Sequence, residues 1–144
     1  MVQRAMGTGV LAAACAGLLA CAAERSVAPT DAVSVRTALR QPIAPDLAPG
    51  REAIMQEIEI PPHTSIPRHW HPGEEYLYCL EGEAEVLIDG RAPMTLTPGM
   101  GINLPYRVWH SASTGILPCK VIVFRVHTLG EPIMHVEGEA PPAW

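Results

Sequence analysis

The sequence is poor in aromatic residues and in clustered positive charge. Aromatic residues make up 5% of its 144 positions, Phe occurs once, and the formal net charge is −5. Because no group of Lys and Arg forms a basic patch, the sequence lacks the charge pattern with which proteins bind nucleic acid phosphates. It also lacks a Ser-His-Asp arrangement, a phosphate-binding loop and a nucleotide-binding fingerprint. We therefore expect no nucleic-acid partner and no chemistry of these three kinds.

Long helical patterns are missing as well. Beyond the N-terminal segment, no stretch of about ten residues has the spacing of an amphipathic helix. Fifteen Pro and twelve Gly are many for this length, and they favour short elements joined by turns. The apolar content of 48% is ordinary for a globular protein. The sequence thus predicts an all-β domain.

The first 23 residues have the pattern of an export signal. Arg4 precedes the uncharged segment Val10–Ala20, which is shorter than the roughly 20 residues of a membrane span. The run Leu18-Leu19-Ala20-Cys21 resembles a bacterial lipobox, in which Cys21 would be lipidated. The alternative is a plain signal cleaved near Ala22 or Ala23. We expect a lipid-anchored protein of the periplasm or cell envelope, which touches the membrane only through the lipid on Cys21. If Cys21 is not lipidated, we expect a secreted protein.

The four cysteines fall into two pairs, of which Cys15 and Cys21 belong to the signal region. Cys79 and Cys119 remain in the mature domain. An even pair in an oxidising compartment can form a disulfide, whereas two buried thiols would act as small apolar residues. Both alternatives stay open, because the sequence does not give the distance between the two Cα atoms.

After the signal, the chain divides into a tether, one barrel domain and a tail. Residues 24–50 are predicted to be a tether with an edge strand near Val35–Leu39, residues 51–136 a β-barrel, and residues 137–144 a C-terminal tail. Within the barrel, alternating apolar residues and turn dipeptides such as Asp89-Gly90 delimit short strands. The predicted strands are Ile54–Ile60, Ile66–His71, Glu75–Leu80, Ala84–Ile88, Met94–Leu96, Gly101–Leu104, Val108–Ala112 and Val121–Val126.

The residues that carry chemistry are concentrated in one short run. On a strand, side chains alternate faces, so His69 and His71 point to the same face and Trp70 to the other. Glu75 follows a Pro-Gly bend and can return to the same site, and His110 comes from a distant hairpin. Three imidazoles and one carboxylate suit a divalent transition metal. We predict one such ion, held by His69, His71, Glu75 and His110.

This pattern resembles the two motifs of the cupin superfamily, in particular its small bacterial single-domain members. The first motif is represented by His69, His71, Glu75 and Gly82, and the second by Pro98-Gly99, Pro105 and His110. The resemblance implies a double-stranded β-helix (a jelly-roll barrel) with the metal inside, and often a homodimer. Three positions depart from the family pattern: His63 and Thr114 stand where Gly and Asn are usual, and Met100 where Asp is common.

Several neighbouring residues have more ordinary interpretations. Glu74 is a rival ligand to Glu75, but the parity from His71 favours Glu75 and turns Glu74 to solvent. Arg68 and Arg107 could receive a carboxylate or lie on the surface. Tyr76 and Tyr78 are expected on the outer face of the strand, in packing contacts or at a dimer interface. His63, His127 and His135 have no partners at ligand spacing, so we assign them to surface or core roles.

The function that follows is that of an exported metal-binding cupin. It is either a small metalloenzyme, dioxygenase-like or isomerase-like, acting on an oxygen-rich small molecule, or a non-catalytic module that binds a metal or small ligand at the cell envelope. A nitrogen-rich site loaded outside the cytoplasm favours Zn or Cu by affinity, with Fe, Mn and Ni as the other candidates. The sequence names no substrate.

Overall fold

The computed structural model describes residues 32–138, which form ten β-strands. The predicted signal segment and Cys21 lie outside the described residues. Within residues 32–138 there is no helix, and so none long and apolar enough to cross a membrane. The strands are β1 Ser34–Pro42, β2 Arg51–Ile60, β3 Ser65–Trp70, β4 Gly73–Gly82, β5 Ala84–Ile88, β6 Met94–Leu96, β7 Gly101–Leu104, β8 His110–Ser113, β9 Cys119–Thr128 and β10 His135–Val136.

The strands form two antiparallel sheets of five strands each. The first sheet has the order β1-β2-β9-β4-β7 and the second the order β10-β3-β8-β5-β6. From β2 onward the chain passes repeatedly from one sheet to the other, so that consecutive strands are seldom neighbours. The all-β prediction is confirmed. β1 pairs only with β2, and it is the edge strand expected near Val35–Leu39.

The hydrophobic core lies between the two sheets. Every second residue of β9 is buried, from Cys119 to His127, as expected for a strand with one face against a core. Val121 and Val123 of this strand pack with Val86 and Leu96 of the second sheet. The period-two alternation therefore decides which side chains enter the space between the sheets.

Two glycines are required by the close approach of neighbouring strands. A Cβ atom at Gly82 would lie 1.7 Å from the carbonyl oxygen of Pro118, and the residue has a φ of +70°. A Cβ atom at Gly73 would lie 2.4 Å from the carbonyl oxygen of Val126. Only glycine fits such contacts, so these residues hold β4 in register beside β9 on both sides of the metal-ligand candidate Glu75.

The structure differs from the sequence prediction at several places near the site, and one of them is β8, which runs from His110 to Ser113 and not from Val108 to Ala112. The predicted strand Ile66–His71 ends at Trp70, so His71 lies in the connection to β4 and not on the strand. β4 begins at Gly73, two residues before the predicted start. β10 was not predicted, because two residues are too few for an alternation to be visible; it adds His135 and Val136 to the edge of the second sheet, beside β3.

Two departures from the family pattern have a structural counterpart. His63 has a left-handed backbone with a φ of 53°, a conformation that glycine adopts at no cost and other residues rarely. Thr114 is buried, and its hydroxyl donates to the carbonyl oxygen of Pro61 at 2.5 Å and accepts from the backbone N–H of Thr64 at 3.0 Å. A short polar side chain at position 114 thus ties the end of β8 to the segment between β2 and β3.

Candidate metal centre

Three histidine side chains meet between the sheets. His69 on β3 and His110 on β8 lie opposite each other on neighbouring strands, and His71 reaches the same place from the β3–β4 connection. All three are buried, and the nitrogen atoms that they offer as ligands lie within 4.8 Å of one another. The Nε2 atoms of His69 and His71 are 3.1 Å apart. Together these three residues form a group that could hold a metal ion.

The backbone fixes which nitrogen of each ring faces the centre. The Nδ1 atoms of His69, His71 and His110 lie 2.7, 2.5 and 2.9 Å from the carbonyl oxygens of Pro67, Ile133 and Val108. A carbonyl oxygen only accepts, so Nδ1 carries the proton and Nε2 is left as the ligand atom. This pattern is common among metal-binding histidines, because it fixes both the tautomer and the ring orientation.

An orphaned atom supports the fit to a cation. His110 Nε2 is buried and has no hydrogen-bond partner among residues 32–138, although buried polar atoms are nearly always paired. Burial also lowers the pKa of His110, and it lowers that of His69 to about 4 against the opposing effect of the Pro67 carbonyl. The imidazoles of His69 and His110 are therefore suited to be neutral, which is the form that binds a metal.

Glu75 reaches the site from the facing sheet. Its Oε2 atom lies 2.6 Å from His71 Nε2 and accepts a hydrogen bond from Arg125 Nε at 2.7 Å. Burial alone would raise the pKa of Glu75, but the adjacent His71 ring and the Arg125 charge outweigh it and lower the pKa to about 2. The carboxylate is thus ionised next to the imidazoles. Its role as a fourth metal ligand stays a prediction, since its oxygen is shared with Arg125.

Glu74 points away from the histidines, as the parity of β4 predicts. Its carboxylate accepts hydrogen bonds from Asn103 Nδ2 at 2.8 Å and from the backbone N–H of Tyr106 at 3.2 Å. Contrary to the expectation that it faces solvent, Glu74 is half-buried by these contacts. It anchors the loop after β7 and takes no part in the site.

Arg125 is the site residue that sequence reasoning missed. It is buried on β9, directly opposite Glu75 on β4, and its guanidinium also donates to Gln56 Oε1 on β2. The signal was present in the sequence: a period of two from Val121 and Val123 places a charged residue on the inward face. Arg68 and Arg107, the two arginines considered instead, lie elsewhere. Arg68 bonds to Asp89 and Glu137, and Arg107 lies over Trp70 and Tyr106.

The other histidines are separate from the centre. His135 stacks on Trp70 with ring centroids 4.1 Å apart. His127 is fully buried on β9, with Nε2 bonded to the carbonyl oxygen of Glu131 at 3.2 Å. His63 is exposed. These positions agree with the packing and surface roles expected for them.

Cys79 and Cys119 are buried neighbours in the core. Both are free thiols in this structure, and burial, together with the adjacent Cys79, raises the pKa of Cys119 to about 12. They occupy the place that small apolar residues would fill. A disulfide between them stays a prediction.

Tyr76 and Tyr78 lie on the opposite face of β4 from Glu75 and are exposed. The ring of Tyr76 lies 6.5 Å from that of Phe124 on the neighbouring strand β9. These tyrosines therefore lie on the outer face, as predicted. Their role in a dimer interface stays a prediction.

Comparison with known proteins places this fold and site in a family. The family model described as "Cupin domain" matches residues 56–125, a range that includes all four predicted ligands and Arg125. Residues 56–125 form a cupin domain. The resemblance of the two sequence motifs is thereby confirmed. No curated protein matches the sequence significantly.

Solved structures agree with the cupin fold. DMSP lyase DddQ from Ruegeria pomeroyi is 30% identical to this chain, with a TM-score of 0.56. The match covers 60% of this chain and 45% of the lyase, so this chain spans less than half of the length of the lyase. The polyketide cyclase RemF from Streptomyces resistomycificus is 24% identical over 75% of this chain and 72% of its own, with a TM-score of 0.57. A protein with a double-stranded β-helix domain from Klebsiella pneumoniae is 16% identical over 78% of this chain and 91% of its own, with a TM-score of 0.60. The last two similarities show the fold alone.

Proposed function

We propose that this cupin is an exported metalloenzyme that binds one divalent transition metal through His69, His71 and His110. The observation that carries the proposal is the convergence of the three Nε2 atoms, each ring being fixed by a carbonyl oxygen at its Nδ1 atom. Three imidazoles leave positions on the ion open to a small molecule, as in catalytic sites. When bound, the ion would supply Lewis-acid chemistry, or redox chemistry if it is Cu or Fe.

The protein residues around the ion would have distinct roles. Glu75 would be the fourth ligand, or would accept a proton from a molecule bound beside His71, since its carboxylate is ionised and lies within 2.6 Å of that ring. Arg125 would hold Glu75 in place through its 2.7 Å hydrogen bond. The apolar surroundings would keep water away and strengthen the electrostatic interactions inside the site.

A second candidate is a non-catalytic module that binds a metal or small ligand at the cell envelope. The 30% identity to a lyase favours the enzyme, and the absence of a curated match gives no substrate. Lyase, dioxygenase and isomerase chemistry are the three reaction types to be tested first. We further propose that the protein is a homodimer and that residues 1–23 direct it to the cell envelope, where Zn or Cu is the ion acquired.

Metal analysis followed by an activity screen tests the proposal. The full chain, purified and exposed to Zn, Mn, Fe and Cu in turn, is expected to retain about one ion per chain, as the one histidine group found within residues 32–138 implies. His69→Ala combined with His71→Ala is expected to abolish retention. His63→Asn, a change to a residue that tolerates the left-handed backbone, serves as the matched control and is expected to retain the ion.

The loaded chain is then screened for oxygen uptake with catechols, diketones and thiols, and for lyase and isomerase activity on small carboxylates. Turnover that is lost in the double histidine variant would support the enzyme. Ligand binding without turnover by any loaded form would favour the binding module. A chain that retains none of the four metals would contradict the metalloenzyme.

A further inference from the structure

A cavity adjoins the three histidines between the two sheets. Its volume is about 350 Å³, within the range of about 300–1,000 Å³ that is typical of small-molecule sites. Thirteen of the twenty residues that line it have apolar side chains, from both sheets, among them Ile58, Ile66, Leu77 and Val123. Val35 of the edge strand β1 also lines it and is 55% exposed, which places this residue at the mouth. The cavity therefore offers mostly hydrocarbon to its occupant.

The polar lining residues, apart from Ser111, belong to one cluster. Close contacts join His69 to His71 and His71 to Glu75, hydrogen bonds join Glu75 to Arg125 and Arg125 to Gln56, and His110 packs against the first two rings. The hydrogen-bonding groups are thus gathered at one part of the wall. Oxygen atoms on a ligand find partners there, and a hydroxyl elsewhere in the cavity would lose its hydrogen bonds to water without replacement.

The charge of this cluster sets the charge of the ligand. The carboxylate of Glu75 and the guanidinium of Arg125 balance each other at 2.7 Å. Imidazoles are neutral when they ligate a metal, so a divalent ion bound by the three histidines leaves two positive charges in a buried site. Buried charge is costly unless it is paired, so the site requires an anion, and both an imidazole-bound metal and a guanidinium bind carboxylate oxygens well.

We propose that the ligand of this cavity is an amphipathic anion, with a carboxylate or similar oxygen head group at the histidine–Arg125 cluster and an apolar body without hydroxyl groups among the aliphatic side chains. This substrate class rests on the metal site proposed above. It confines the oxygen atoms of the substrate to its head group, and it excludes sugars and sugar acids.

Isothermal titration of the zinc-loaded full chain with four probes tests the proposal. Hexanoate, gluconate and hexan-1-ol have equal carbon number, and acetate has the head group alone. Hexanoate is expected to bind at least tenfold more tightly than acetate, since each buried methylene contributes about fourfold, and at least tenfold more tightly than gluconate and hexan-1-ol. Equal affinity for gluconate and hexanoate, or for acetate and hexanoate, would overturn it.

Two variants that narrow the cavity locate the apolar body. The first variant is Ala112→Leu, and the second is Val35→Phe, which narrows the mouth and leaves the core intact. Each is expected to weaken the binding of hexanoate at least fivefold and to leave the affinity for acetate unchanged. Leu87→Phe is the control, because Leu87 is a similarly exposed apolar residue, at 43%, outside the cavity. If hexanoate binds both narrowed variants as it binds the unaltered chain, the apolar body does not lie in this cavity and the proposal fails.

Metal uptake is measured separately on the same samples, and the hexanoate–gluconate comparison is repeated after chelation. Zinc uptake without a preference for hexanoate would overturn the substrate class and leave the metal site standing. A preference for hexanoate over gluconate in a chain that takes up no zinc would support the apolar body of the ligand alone, and would overturn the metalloenzyme and the charge argument that rests on the ion.

Discussion

Along strands β4 and β9 the inward-facing residues change character from one end to the other. At one end Cys79 lies opposite Val121, and at the other Glu75 lies opposite Arg125. Both ends are equally inaccessible: Cys79 is 0% exposed and Glu75 and Arg125 are each 4% exposed. Burial therefore does not distinguish the core from the site. The difference is that every charge at the site end has a partner and the imidazoles beside it are directed at one point.

The largest effect is expected from breaking the charge pair at the site end. Arg125→Leu leaves the Glu75 carboxylate buried without its counter-charge, and we expect a loss of about 3–5 kcal/mol in the free energy of unfolding. Urea denaturation in the presence of a chelator measures this without the metal. Combining Arg125→Leu with Glu75→Leu is expected to restore most of the loss, because no buried charge remains. A double variant as unstable as the single one would show that the pair has no such role.

Among the core residues, the corresponding substitution creates a cavity and does not leave an unpaired charge. Leu96→Ala, at a position 1% exposed, is expected to lower the free energy of unfolding by about 3 kcal/mol. Metal stoichiometry is expected to stay unchanged, since Leu96 does not line the cavity beside the ligands. Leu87→Ala on the exposed face is the control, with an expected change of about 0.5 kcal/mol or less. Loss of the metal from Leu96→Ala would mean that the two ends are not independent.

The period-two alternation and the histidine spacing predict most of this arrangement from sequence. Three strands were predicted with their observed bounds: Ala84–Ile88, Met94–Leu96 and Gly101–Leu104. The grouping of His69, His71 and His110 follows from the motif spacing and is seen in the structure. Each of these features depends on local sequence, where propensity and spacing act directly.

The features that were missed depend on contacts between distant strands. Arg125 reaches Glu75 across 50 positions of sequence, and only the register of β4 against β9 brings the two together. His71 lies off the strand, and its ring is oriented by the carbonyl oxygen of Ile133, 62 positions away in sequence. The cavity depends on how far the two sheets stand apart, a quantity that no local pattern contains.

A smaller effect concerns the affinity for metal. Glu75→Gln removes the negative charge beside His71, and we expect it to weaken metal binding about 10–100-fold whether Glu75 is a ligand or orients one. Glu74→Gln is the matched control one residue away, with an unchanged affinity expected because its contacts are to Asn103 and Tyr106. Competition with a chromophoric chelator measures both. The reverse ranking of the two variants would contradict the assigned facing of β4.

The smallest effect is expected at the edge strand. Arg40 binds the Glu52 carboxylate at 2.9 and 2.7 Å, and this hydrogen bond lowers the pKa of Glu52. A lowered pKa stabilises the fold above the unfolded-state value of about 4.3 and ceases to do so as the pH falls through the folded-state value. Arg40→Met is therefore expected to lower the melting temperature at pH 7 and to differ less from the unaltered chain below about pH 4. A difference that is independent of pH would contradict this.

The central claim, that three imidazoles of the site end bind one divalent metal, is tested most directly by X-ray absorption at the metal edge. The sample is protein isolated from its own cells with the metal that it acquired there. We expect one Zn or Cu per chain, with scattering from three imidazole rings and from at least one oxygen ligand. A bound ion without imidazole scattering, or protein that contains no transition metal, would contradict the account.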